Sequence, residues 1–367
     1  MILSPRNSLL TLFSIGIYKM VRPGIWTFVC LFWAFGFSQD LPVPKVKVLS
    51  EEFIFEEAPF AQCHASTLVG MADGSVMAAW FGGTHERHPD VAIYASSNTS
   101  GNWSDPKLIA NGVVSDTLRY PCWNPVLFAN NRDQVVMFYK VGPSPSTWWG
   151  MYSIMDDNKK VWSESRRLPD GILGPIKNKP IQIGDELVLS PSSVEIEDGA
   201  IWKSHVEISA DGGATWTKSH IPSGEGIKTI QPTLLHLPNG DIKALLRSNQ
   251  DVIMESVSSD SGLTWSKAST TSVPNPNSGI DAVSLKEGGY LLVYNPGVSG
   301  EDWSNGREKL NLAYSSDGNL WHDILKLEDH EKGEFSYPAI IQDSQGTVHI
   351  TYTYDRSKIK YLKIALD

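Results

Sequence analysis

The chain has 367 residues and a formal net charge of −10; 41% of it is hydrophobic, 20% is charged, and only 3 residues are Cys. So few cysteines exclude a disulfide-built scaffold, the apolar content excludes a disordered chain, and the acidic balance argues against nucleic acid as a partner. Trp is the outlier, with 13 copies, most of them at recurring positions.

Residues 1–38 carry Arg6, Lys19 and Arg22 and no acid. An apolar stretch, Ile25–Phe37, runs into the small-residue exit Gly36-Phe37-Ser38. A basic start, a short apolar run and a small-residue exit predict a secretory signal peptide, with Met20 as an alternative start. The run is short for a membrane anchor. The expected product is a secreted or periplasmic protein, residues 39–367, with no membrane attachment once the leader is removed. Its cysteines, Cys63 and Cys122, are free to pair or not.

From residue 39 onward the patterning is that of strands. Val43–Phe55 reads as one. Six alternating runs follow, each opened by a turn, at Gly74, Asp133, Asp185, Gly240, Gly289 and Gly346, at intervals of roughly 50–60 residues. A second series places a Trp four or five residues after an Asp or Asn: Asn98–Trp103, Asp157–Trp162, Asp211–Trp216, Asp260–Trp265 and Asp317–Trp321. The Asp and Gly of S-A-D-G-G-A-T-W (209–216) and S-S-D-S-G-L-T-W (258–265) suit a tight turn whose Trp plugs the gap between strands. Four short strands per fifty residues make one propeller blade. The predicted fold is all-β, a six-bladed propeller in which the strand at Val43–Phe55 closes the last blade against a C-terminal strand near Ile359–Ile364, a closure that would remove an exposed sheet edge.

Aligned on their inner strands, the blades bring His64, Asn124, Lys179, Gln231, Asp281 and Tyr337 to one end of the axis. This ring is polar and titratable, unlike a structural plug. Lys140 and Lys177 add positive charge nearby, and the loop G-G-T-H-E-R-H-P-D after Phe81 supplies Arg87 and His88 as a rim. His85 and His88 have no third partner at metal-ligand spacing, and no cofactor motif accompanies them. Trp123, Trp148 and Trp149 are candidates for stacking on sugar, with core packing as the alternative.

The turns at 209–216 and 258–265 resemble the Asp-boxes, or BNR repeats, of the sialidase superfamily. The segments C-H-A-S-T (63–67), W-F-G-G-T (80–84), Y-P-C-W-N-P (120–125), G-P-I-K-N-K-P (174–180), P-N-P-N-S-G-I-D (274–281) and F-S-Y-P (335–338) are similar to those of secreted proteins of the predicted-neuraminidase type. The resemblance implies that Tyr337 stands at the sialidase Tyr position. It also implies that Arg247 and Arg307 stand at two of the three carboxylate-binding arginines, with Lys309 as a rival for the second. Two departures accompany it: His64 occupies the place of the first arginine, and Gln231 that of the Glu that assists the Tyr. No Asp stands convincingly as the acid, and Glu86 is only a candidate.

A Tyr nucleophile without a carboxylate partner is a poor one. A site that holds an acidic sugar with arginines can instead support β-elimination from a uronate: His64 as base at C5, Tyr337 as donor to the group leaving C4, arginines neutralising the carboxylate. Some polysaccharide lyases with BNR-type propellers use such a His/Tyr/Arg trio. The expected activity is elimination across C4–C5 of a uronate in an acidic oligosaccharide such as one from ulvan, as a lyase or a dehydratase. The alternatives are an exo-sialidase or related hydrolase using Tyr337, and a non-catalytic glycan-binding propeller.

Overall fold

The computed structural model describes residues 42–367 apart from 133, 157–160 and 303. The leader, the box residue Asp157 and the turn residue Asp133 lie outside the described residues. Among these, every regular element is a strand, and residues 40–367 form one unit.

Six antiparallel meanders follow one another around an axis. Blade one comprises Gln62–Gly70, Val76–Gly83, Ala92–Thr99 and Asn102–Trp103. Blade two is Cys122–Ala129, Val135–Val141, Trp149–Asp156 and Val161–Trp162, and blade three Ile181–Ile183, Leu187–Ile196, Ile201–Ser209 and Thr217–His220. Blade four is Thr229–His236, Ile242–Ser248, Val252–Ser258 and Ser269–Pro274, and blade five Asp281–Ser284, Tyr290–Tyr294, Lys309–Ser315 and His322–Asp329. Blade six takes Phe335–Gln342, Val348–Tyr354 and Lys358–Leu366 from the C-terminus and Val46–Phe53 from the N-terminus, paired Val46 to Leu366. The predicted closure is present, and it leaves each terminal strand covered by the other end of the chain.

Neighbouring blades are joined by side chains that capture backbone N–H groups of the next inner strand across the blade boundary. Thr353 Oγ1 accepts from Ala65 N at 3.2 Å, Thr67 Oγ1 from Leu127 N at 3.1 Å, and Ser193 Oγ from Gln231 N at 3.2 Å. Thr233 Oγ1 accepts from Ala282 N at 3.2 Å, and Asp281 Oδ2 from Ile340 N at 2.9 Å. These groups would otherwise be unpaired in the core, where each would cost about 1–3 kcal/mol.

The inner strands of blades one, two, four and six share a further irregularity. Each has a register shift near its start, and each places there a non-glycine residue with positive φ: Ala65 at 54°, Asn124 at 37°, Gln231 at 53° and Tyr337 at 53°. A bulge re-aims a side chain, and a left-handed residue costs of order 1–3 kcal/mol. This register corrects the sequence alignment by one position in blade one: Ala65, not His64, corresponds to Asn124, Gln231 and Tyr337. His64 corresponds instead to Trp123, Ile230 and Ser336.

The two best Asp-boxes are built alike. Asp211 accepts from Thr215 N at 2.8 Å and Thr215 Oγ1 at 2.6 Å, and Asp260 does the same with Thr264. Each following Trp donates to a turn carbonyl at 3.1 Å. Their burial differs: Trp265 is buried, whereas Trp216 is only half-buried. Trp265→Ala should therefore cost about 3–5 kcal/mol, and Trp216→Ala clearly less. Urea midpoints at unchanged m-value measure both; equal losses would contradict the plug reading.

Candidate active site

The left-handed bulge at Tyr337 turns its ring against His64, with ring centroids 4.2 Å apart and planes 48° apart. The phenolic oxygen accepts from Arg247 Nη1 at 2.7 Å and from Gln231 Nε2 at 3.3 Å. With both lone pairs engaged, the O–H proton is its remaining hydrogen-bonding function. Arg247 Nη1 also reaches Gln231 Oε1 at 3.1 Å, and its Nε donates to Asn277 Oδ1 at 2.8 Å. No protein hydrogen bond engages Arg247 Nη2 among the described residues, and the half-buried Trp202 lies 5.5 Å from the guanidinium.

Arg307 approaches from blade five. Its Nη2 donates to Asn277 O and its Nη1 to Glu334 Oε1, both at 3.2 Å. Glu334 uses its other oxygen to accept from Arg356 Nε at 2.8 Å, and Arg356 Nη1 pairs with Glu86 at 2.5 Å. Arg356 is a member of this cluster that the sequence reading did not single out. It sits in the turn between two strands of blade six, at φ 55°, and its carbonyl accepts from Cys63 N, next to His64. The place of the expected blade-one arginine is thus neighboured by an arginine from the adjoining blade.

Lys177 forms the floor. It is buried, lies 5.8 Å from the Tyr337 ring, and donates to Asn178 Oδ1, Ile280 O and Pro338 O. Burial pushes its pKa down to about 7. Burial first, then Arg356, Arg307, Lys177 and Arg247, holds His64 well below the ordinary 6.5. His64 is therefore neutral at pH 7, and its buried Nδ1 has no hydrogen-bond partner. A group that is neutral in the fold and binds protons more readily when unfolded weakens the fold as pH drops below about 6.5.

Other expected site residues fall differently. Asn124 occupies its bulge, and its side chain makes no hydrogen bond among the described residues. Arg87 is exposed at φ 77°, and His88 is held by Asp90, with Nδ1 at 2.8 Å from its carboxylate. Lys140 is fully buried, donates to Pro175 O and has its pKa pushed down to about 7 by burial, with Glu207 opposing. Its strand partner is the equally buried Trp123. Lys179 and Asp281 are committed to each other at 3.0 Å. Asp281 also accepts from Thr233 Oγ1, Ala282 N and Ile340 N, and so ties blades three to six together instead of meeting substrate.

Trp123 donates to Gly142 O at 2.8 Å from within the core, which removes it as a sugar platform. Cys63 and Cys122 are buried free thiols. Glu195, in the long second strand of blade three opposite Trp202, is a half-buried carboxyl that the sequence did not single out. Burial raises its pKa, against the pull of Arg247 and Arg87. Its signal in sequence is slight: one acid in a strand patterned like its neighbours.

A six-bladed, Asp-box-bearing propeller with cationic and aromatic residues gathered at one end of its axis is a propeller of the sialidase type. The chain belongs to the BNR repeat-like domain family, whose model matches residues 74–350. Among solved structures, a protein of unknown function from Dyadobacter fermentans is similar at TM-score 0.72 and 16% identity, covering 89% of this chain and 100% of that one. The NanB sialidase of Streptococcus pneumoniae follows at TM-score 0.65 and 13% identity, with 86% and 70% covered. Trypanosoma rangeli sialidase is similar at TM-score 0.66 and 14% identity, with 88% of this chain and 60% of that one covered. A search of the curated proteins finds no match.

Asp281→Ala removes one side of a buried pair and three further hydrogen bonds, so it should destabilise by about 3–5 kcal/mol. The measurement is a denaturant midpoint. A folded variant of unchanged stability with abolished glycan binding would return Asp281 to the site.

Proposed function

We propose that this protein is a secreted, exo-acting enzyme on acidic oligosaccharides that eliminates across C4–C5 of a uronate. The observation that carries the reading is the company of Tyr337: its oxygen is met by Arg247 and Gln231, and no carboxylate reaches it among the described residues. A Tyr so placed has no general base of its own and keeps a proton to give.

The substrate carboxylate would be held by the cationic group of Arg247, Arg307 and Arg356 above Lys177, which stabilises the enolate-like charge that develops when the C5 proton leaves. His64 takes that proton. The C5–H electron pair becomes the C4=C5 double bond as the C4–O bond breaks, and Tyr337 gives its proton to the departing oxygen. Proton transfer from the imidazolium to the phenolate beside it restores the starting state. A glycosidic oxygen as leaving group makes the enzyme a lyase; a free 4-hydroxyl makes it a dehydratase.

Hydrolysis of sialosides is the second reading. It is favoured by the likeness of fold to two sialidases and by the sequence resemblance that puts Tyr337, Arg247 and Arg307 at sialidase positions. Ultraviolet absorbance separates the two, since only elimination creates a double bond conjugated to the carboxylate. Uronate oligosaccharides should yield that absorbance. Sialoside cleavage without it would sink the first reading.

His64→Ala and Tyr337→Phe should each lower kcat by about 10²–10⁴-fold while leaving the circular dichroism spectrum unchanged. If both variants keep full turnover, neither is the acid or base.

The pH profile carries a sign. Because kcat/KM reports the free enzyme, where the cations depress His64, its acid limb should lie below pH 6.5. Bound uronate offsets those cations, so the acid limb of kcat should lie at higher pH. Coincident limbs at or above 6.5 would remove His64 as the base.

A further inference from the structure

We infer that the elimination is syn and that the substrates are uronates whose C5–H and C4–O bonds lie on one face of the ring, such as D-glucuronate and D-mannuronate. This rests on the proposed elimination and on one further observation, the contact between the proposed base and the proposed acid. An anti elimination needs the two groups on opposite faces of the pyranose. A ring between them requires two van der Waals contacts of about 3.5–4.0 Å, or roughly 7–8 Å in all. The His64 and Tyr337 ring centroids are 4.2 Å apart.

The rings are also not poised to part. Tyr337 is fixed by Arg247 at 2.7 Å and by its left-handed bulge, while Lys177 packs beneath it. His64 is buried, with the edge-on Phe81 ring 5.7 Å from it. Both therefore address the sugar from the same side.

In D-glucuronate and D-mannuronate the C5 hydrogen and the C4 oxygen are cis. In D-galacturonate, the C4 epimer, they are trans, as they are in L-iduronate and L-guluronate, the C5 epimers. A trans substrate that offers its C5 hydrogen to His64 turns its C4 oxygen away from Tyr337, and the departing alkoxide lacks a proton donor. The chemistry selects configuration through two atoms without a contact to any other hydroxyl.

The test is a matched set of oligosaccharides ending in D-glucuronate, D-mannuronate, D-galacturonate or L-iduronate. Each is incubated with the full-length protein and followed by absorbance of the conjugated product. Turnover of the cis substrates should exceed that of the trans ones by about 100-fold or more, the scale of a misplaced reacting group. Trans substrates turning over as fast as cis would overturn the syn assignment while leaving elimination standing. No absorbance from any of the four, with product detected by another means, would overturn elimination and the syn assignment together. Tyr337→Phe supplies the internal check. It should narrow the cis preference, because the proton donor that discriminates is gone; an unchanged ratio would place the selectivity elsewhere.

Discussion

The site is organised by four cations gathered around one imidazole, two of them tied to carboxylates of the protein. Lys177, Arg247, Arg307 and Arg356 act on His64, while Glu334 is shared by two arginines, Glu86 pairs with Arg356, and Glu195 and Asp281 act on Arg247 and Lys177. Bringing cations out of water is expensive unless they are paired and hydrogen-bonded. The chain as a whole carries −10, so this cluster is a local reversal rather than a reflection of composition. In the proposed reaction a substrate anion completes the arrangement, and burial together with this field keeps His64 unprotonated before it arrives.

The backbone device that makes this possible is repeated. A regular inner strand would alternate its side chains between the two faces of its blade. The bulges with left-handed residues at Ala65, Asn124, Gln231 and Tyr337 break that alternation at one level of the axis. Strain of this kind persists only where the surroundings over-determine it. Here the surroundings are the inter-blade hydrogen bonds from Thr353 and Ser193, which hold the N–H groups of two of the four bulged residues, Ala65 and Gln231. Closure of the ring and aiming of the site are thus partly the same set of bonds.

The fold was legible in the sequence because its signals are local: an Asp-box is a single turn whose hydrogen bonds run within seven or eight residues, and each alternating run is one strand. The grouping of His64, Gln231 and Tyr337 also followed from aligning the inner strands, and the resemblance to sialidases added Arg247 and Arg307. What escaped was set by features without a local signature. The bulge shifted blade one by a single position, which exchanged His64 for Ala65 in the ring. Lys140, Lys179 and Asp281 have the residue types of a binding site, but whether such a group meets ligand or a neighbouring blade depends on depth along the axis. Arg356 lies in an ordinary surface-like turn, D-R-S, and becomes part of the site only because blade six is sealed to blade one.

The substitution of Gln for Glu beside the Tyr has a consequence that reaches beyond nucleophilicity. A carboxylate at position 231 would pair with Arg247 Nη1 and offer the phenol an acceptor, drawing its proton inward. The amide instead presents Oε1 to Arg247 and Nε2 to the phenolic oxygen, so the Tyr is surrounded by donors. A side chain held this way keeps its proton available to an oxygen outside the protein. Against the same ring, His64 is denied protonation by burial first and then by four cations, and so is available to accept. In the proposed elimination, a substrate carboxylate that offsets these cations also strengthens the base, so that binding and deprotonation are coupled through the field rather than through any shared contact.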